Sequence, residues 1–335
     1  MKSELQKMQS YGRSKHADQV KTRIERSNAK AKGIPYEEYR TIDYTKDHIY
    51  SITTMKQYQY QIDLYADYLY AQGLNKCTME EAKEHIQDYL IYLQEEKHLS
   101  APTIHSACAS LCKVFHQTMW EYEKPKRSVA EISRGNQTFK DKNTDMISEL
   151  EKNRIWSINR NYLGMRKNEL INLKAGMIKE IDKRVEILYI GKGGKHNKQI
   201  FTDDKEKAFV LSLKANKQEH EHIFNKQEVK QSCNLHKARE LRCKDVYERI
   251  VKDIAVRGEN ARQEYINEIK RVFKEAGKPL RSNLDTPYIV RGANRQRLIE
   301  AGRPIEYDRT ALLYISTHIT QHFRDNVTAN HYVAK

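Results

Sequence analysis

The 335-residue chain lacks what several broad classes of protein require. No run approaches the roughly 18 consecutive apolar residues of a membrane-spanning helix. The opening stretch, MKSELQKMQSYGRSKHADQVK, has no apolar signal core. A cytoplasmic location is therefore expected. Cysteine is sparse: five are scattered along the chain, an odd number that fits reduced thiols and not a disulfide framework. Acidic residues are in deficit, 45 Asp and Glu against 60 Lys and Arg, which leaves a formal charge of +15. That imbalance asks for an anionic partner. The 21 tyrosines, with Asn and Gln among the basic residues, suit nucleic acid better than a membrane surface. Internal repeats and long low-complexity tracts are also missing.

What is present reads as two domains, since a single core rarely serves more than about 250–300 residues. Residues 1–50 read as a basic N-terminal arm, with nine Lys or Arg before position 33 and a short helix around Asp18 to Ala31. Residues 51–120 carry three helical stripes. The first runs through Met55, Tyr58, Ile62, Tyr65 and Leu69 and ends at Gly73. The second opens on a capping box, Thr78 with Glu81, and the third on Ser100 with Pro102 in its first turn. Within the third, His105, Cys108, Cys112 and His116 have helical spacing, but they alternate with Ile104, Leu111 and Phe115 and read as core cysteines, so no metal is expected. Residues 121–145 read as a linker and 146–335 as a mixed domain, mainly helical with a β-hairpin over VEILYIGKGGKHNKQIFT. The expected fold class is thus mainly α with a small antiparallel β-sheet. Trp120 and Trp156 are expected in cores, and His220 and His222 at the surface.

Cutting a phosphodiester without a metal needs a nucleophile, cations for the non-bridging oxygens and an acid for the departing oxygen. Arginine suits the second role because its planar fork matches phosphate and stays charged. Arg166 lies in GMRKNELINL, and Arg239 follows His236 by one helical turn in HKAR. Gly164-Met165-Arg166-Lys167-Asn168-Glu169-Leu170, Gly191-Lys192-Gly193, His236-Lys237-Ala238-Arg239, His322 and Tyr332 follow one another in that order. Each box alone is weak; the order is specific. From about Ser51 onward the chain resembles the tyrosine recombinase (phage integrase) family.

The resemblance implies a two-domain architecture, a helical core-binding (SAM-like) domain plus a catalytic domain. It implies site-specific breakage and rejoining of double-stranded DNA through a 3′-phosphotyrosyl intermediate, for a mobile genetic element, by a homo-tetramer on paired sites with a monomer allowed off DNA. Tyr332 would be the nucleophile, Arg166 and Arg239 the phosphate clamp, and Lys192 the acid, with Lys195 on the same turn as its alternative. His236 and His322 would hydrogen-bond the phosphate and assist a phenol that ordinarily titrates near pH ~10. Neither cofactor nor metal is implied. The alternatives are a non-enzymatic DNA-binding protein that keeps the fold, and relaxation of DNA like a type IB topoisomerase.

The chain departs from the family pattern at three places. Thr320-Gln321 stands where many relatives have Leu-Gly, and Glu240 where they often carry histidine. Residues 246–305 read as an insertion, whose helix carries Tyr265, Ile269 and Val272 as a stripe that packs either on its own domain or on a neighbouring protomer.

Overall fold

The computed structural model describes residues 1–126, 153–191, 193–232 and 234–334. Most of the expected linker and Lys192 lie outside the described residues. The fold is mainly helical with a small antiparallel sheet. The chain divides into two compact units, Met1–Ser133 with Lys192–Lys195 and Arg134–Gly191 with His196–Lys335. No helix among the described residues is long and apolar enough to cross a membrane.

In the first unit the helix Ile52–Ala71 starts where the Ser51 hydroxyl accepts the Thr54 amide at 3.1 Å, and it turns Met55, Ile62, Tyr65 and Leu69 inward. The capping box forms: Glu81 N donates to Thr78 Oγ1 at 3.3 Å and Thr78 N to Glu81 Oε2 at 2.6 Å. The second stripe is divided at His85 into Met79–Glu84 and Ile86–Glu95. Ser100 is the N-cap of the helix Ala101–Val114, with its hydroxyl 3.0 Å from Thr103 Oγ1 and no side-chain bond to a helix amide. Cys108 and Cys112 are core residues of that helix, while His105 Nε2 lies 2.9 Å from the Pro125 carbonyl and His116 lies 3.7 Å from Asp47. Trp120 corrects the expectation for it. It is 60% exposed, because the apolar stripe has ended by the short turn Met119–Glu121, and the Arg40 guanidinium covers its ring at 4.5 Å.

The first fifty residues form helices Lys2–Lys7, Lys15–Ala31 and Tyr36–Tyr39. Leu5, Met8 and Ile49 join the apolar core of the three stripes, and Ile49 N donates to Met8 O at 2.7 Å. Asp18 accepts from Arg13 Nε at 2.6 Å and from the Tyr50 hydroxyl at 2.7 Å. The Arg13 guanidinium above all, helped by Tyr50, holds the Asp18 carboxyl at about 2. A carboxyl depressed in the folded state stabilises the fold above its ordinary value near ~4 and loses that contribution as pH falls towards the folded value. Asp18→Asn is therefore expected to cost about 1 kcal/mol at neutral pH, where Asp18 is charged and Arg13 partly screened. The deficit should vanish as pH falls through about 4 to 2. Parallel denaturant titrations of the two proteins across that range measure it.

In the second unit β1 (Ile178–Ile181), β2 (Arg184–Ile190) and β3 (His196–Phe201) form an antiparallel sheet in the order β1-β2-β3. Register pairs Val185 with Phe201 and Ile190 with His196. The turn uses Gly193 and Gly194, both at φ +79°, where a side chain would be strained. Strand β1, with no periodicity signal of its own, completes the expected hairpin. Val185, Ile187 and Tyr189 alternate inward onto a core with Trp156, Leu163 and Leu170.

A second core surrounds the helices Leu235–Arg257, Glu259–Glu275 and Arg309–His318. Ile266, Ile269, Val272 and Phe273 of the Glu259–Glu275 helix are buried in its own unit. Tyr265 donates to Asp253 at 3.0 Å and meets Tyr314 edge to face at 5.3 Å. The stripe that had two candidate partners is thus covered within the chain.

Candidate active site

Gly164 begins the site. Its φ of +59° suits glycine, and an added Cβ would come within 3.0 Å of Ile319 and 3.1 Å of Arg242. It ends a π-helical turn, Asn159–Leu163, and Arg166 then becomes the N-cap of a short helix, Lys167–Ile171. The buried Asn159 amide holds this corner: its Oδ1 accepts Met165 N at 2.7 Å, and its Nδ2 donates to Met165 O at 3.1 Å and to Leu235 O at 3.3 Å. Leu235 opens the helix that carries His236 and Arg239. One side chain therefore joins two boxes that lie about 70 residues apart in the chain.

Glu169 joins the arginines. Its carboxylate accepts Arg166 N at 2.7 Å and Arg166 Nη1 at 2.9 Å, and lies 3.7 Å from Arg239 Nη1. It is buried, so the charges compensate where water does not. Arg239 is 0% exposed and donates to the Gly164 carbonyl at 2.6 Å and the Thr320 carbonyl at 3.3 Å. Its guanidinium thereby ties the loop before Arg166 to the loop before His322.

Two non-glycine residues with left-handed backbone bracket His322: Gln321 and Phe323, each at φ +59°. Gln321 adopts here the conformation that glycine reaches without strain, at a cost of about 1–2 kcal/mol. Its amide donates to the Thr317 carbonyl, which helps hold it there. The Glu240 departure also has a local account, since Glu240 pairs with Lys237 at 2.8 Å and lies 3.6 Å from Lys244.

Tyr332 sits in a π-helical turn, Ala329–Val333, with its ring buried. Its hydroxyl is 3.4 Å from His322 Nε2, long for a hydrogen bond but within the range by which unliganded sites tighten. The His236 and His322 ring centroids lie 6.1 and 6.0 Å from that of Tyr332, and the Arg239 guanidinium lies 5.6 Å from the ring. Arg166, His236, Arg239, His322 and Tyr332 thus come together through direct contacts or through Glu169. His236 is exposed and Arg166 half-buried, whereas Arg239 lies beneath Tyr332.

Tyr189 was not singled out from the sequence, whose run VEILYI is apolar at positions 188 and 190 too and so does not mark an inward face. Its hydroxyl is buried with no hydrogen-bond partner among the described residues. Burial above all, and then the Glu169 carboxylate, push this phenol up, while Arg239 and Arg166 oppose them.

No protein-family profile matches this chain, and no curated protein matches it. Solved structures do. The XerH site-specific recombinase, bound to palindromic difH substrate in a post-cleavage complex, aligns at 14% identity over 82% of this chain and 92% of that one, with a TM-score of 0.38. The XerA recombinase aligns at 17% identity over 58% and 78%, with a TM-score of 0.22.

Proposed function

We propose that the protein is a site-specific DNA recombinase that breaks and rejoins DNA through Tyr332. The observation that carries the reading is the meeting of a phenol, two imidazoles and an arginine pair bridged by a carboxylate, from segments far apart in sequence, in a chain of formal charge +15. Tyr332 Oη attacks the scissile phosphorus, and its proton passes to His322 Nε2. A phosphorus–oxygen bond forms, the bond to the 5′-oxygen breaks, and that oxygen leaves as a hydroxyl once protonated by a lysine of the β2–β3 turn, Lys192 or Lys195. Arg166 takes the charge on the non-bridging oxygens, and His236 adds a donor. Because the phosphotyrosyl ester retains the phosphodiester's energy, a 5′-hydroxyl from another strand reverses the step and joins DNA. Arg239, buried with its Nη atoms on the Gly164 and Thr320 carbonyls, reaches a phosphate only after these contacts rearrange.

The burial of Arg239 favours a second reading, a DNA-binding protein that keeps the fold without the chemistry. One experiment separates the two. A duplex nicked near the cleavage point loses the short strand bearing the freed 5′-hydroxyl, so cleavage becomes irreversible and leaves a denaturant-resistant protein–DNA band. Attachment is expected to persist in EDTA, with guanidiniums in the role a metal would play, while affinity falls steeply with salt as phosphate counterions are released. Binding without attachment supports the second reading. Strand joining between two duplexes distinguishes recombination from relaxation of supercoils.

A further inference from the structure

The stretch between Arg239 and His322 does more than fill its own core. Tyr332 stands on little local structure: a four-residue helix, Asp325–Thr328, runs into the five-residue turn Ala329–Val333. So few internal hydrogen bonds do not hold such a segment in water. Beside its packing on the Leu235–Arg257 helix, it is held by side-chain hydrogen bonds and an ion pair to residues 282–309. Asn330, two residues before Tyr332, has its amide occupied on every side: Oδ1 accepts Asn294 Nδ2 at 3.1 Å, and Nδ2 donates to the Tyr288 hydroxyl at 3.2 Å and to Asn326 O at 2.8 Å. At the start of the segment, Asp325 lies 3.1 Å from Arg309 Nε and accepts the Ser282 hydroxyl at 3.3 Å.

The anchors themselves are fixed. Tyr288 is held by the two-stranded ladder of β4 (Tyr288–Ile289) with β5 (Glu306–Tyr307), in which it pairs with Tyr307. Asn294 lies on the helix Gly292–Glu300, which is seated by the buried Leu298. Both residues hydrogen-bond Asn330 and act through it.

We propose that Asn294 and Tyr288 are positioning residues for the nucleophile: by gripping the Asn330 side chain they set the turn that holds the Tyr332 hydroxyl beside His322. This rests on the functional reading above. A nucleophile displaced by about 1 Å loses on the order of a hundredfold in rate, and the apolar contacts of Ala329, Tyr332 and Val333 are non-directional where the hydrogen bonds of Asn330 are directional.

The test uses the full chain with Asn294→Ala and, as the milder change, Tyr288→Phe, which removes one hydroxyl. Amide hydrogen exchange over residues 325–334 of the free protein should accelerate at least about tenfold in both variants, and covalent trapping on nicked DNA should slow by about ten- to a hundredfold. DNA affinity and the unfolding midpoint should stay near wild type. The slowing should persist on a substrate with sulfur in place of the departing 5′-oxygen, since a thiolate leaves without an acid and only placement of the nucleophile still matters. Unchanged exchange, unchanged trapping, or a defect erased by the sulfur substrate overturns the proposal. A wild-type protein that binds DNA and never becomes attached overturns the functional reading and this inference with it, an outcome distinct from a defect confined to the variants.

Discussion

Tyr332→Phe is expected to abolish covalent attachment to nicked DNA, a loss of at least about 10⁴-fold that reflects removal of the nucleophile itself. Little else should change. The ring that packs in the core and lies over Arg239 is retained, and the contact of the lost hydroxyl with His322 Nε2, at 3.4 Å, is too long to contribute much stability. Binding of the DNA site should remain within about threefold of wild type, because affinity is spread over many phosphate contacts. Single-turnover trapping beside a native gel shift reads both quantities. A Tyr332→Phe variant that still forms the denaturant-resistant band would place the nucleophile elsewhere.

The two arginines are expected to fail in different ways. Arg166 is partly open to solvent, and Arg166→Ala should lower trapping by about 10²–10³, the usual cost of removing one donor to a developing oxyanion. Its effect on stability should be the smaller, about 1–2 kcal/mol, since the buried Glu169 keeps the main-chain N–H of residue 166 and its place 3.7 Å from Arg239. Arg239→Ala should cost cleavage at least as much and also destabilise the second unit by about 3–5 kcal/mol. Its removal leaves the Gly164 and Thr320 carbonyls and the Glu169 carboxylate buried with fewer donors. Arg239→Lys should restore little, because a single ammonium does not span two carbonyls that the guanidinium fork reaches at once. Denaturant unfolding of the three proteins beside their trapping rates separates the roles. Equal stability losses at the two positions would mean that Arg239 is no keystone.

Much of the local structure was legible because it depends on near neighbours. Ser51, the Thr78–Glu81 box and Gly73 delimit helices through contacts within four residues, and the Gly-rich turn between two β-prone runs marks the hairpin of β2 and β3. The order of the boxes singles out Arg166, His236, Arg239, His322 and Tyr332 as candidates, and the fold brings these side chains together. Trp120 was misjudged for the complementary reason: an aromatic residue just beyond a stripe carries no periodicity, and whether a core reaches it depends on where the chain turns next.

What the sequence by itself determined is local: the helices of the three stripes, the hairpin, the excess of positive charge, and the order in which a tyrosine, two arginines and two histidines stand along the chain. The tertiary structure alone decided which residues share the work. Glu169 bridging both arginines, Asn159 joining two distant boxes, and Asn294 with Tyr288 gripping Asn330 all depend on backbone brought together across tens of residues. The stripe of Ile269 and Val272 could equally have sought another protomer, and it was settled only when the Arg309–His318 helix packed on it. Hydrogen bonds and burial between distant segments leave no periodic trace, because their geometry is set by the packing of whole elements and not by spacing along the chain.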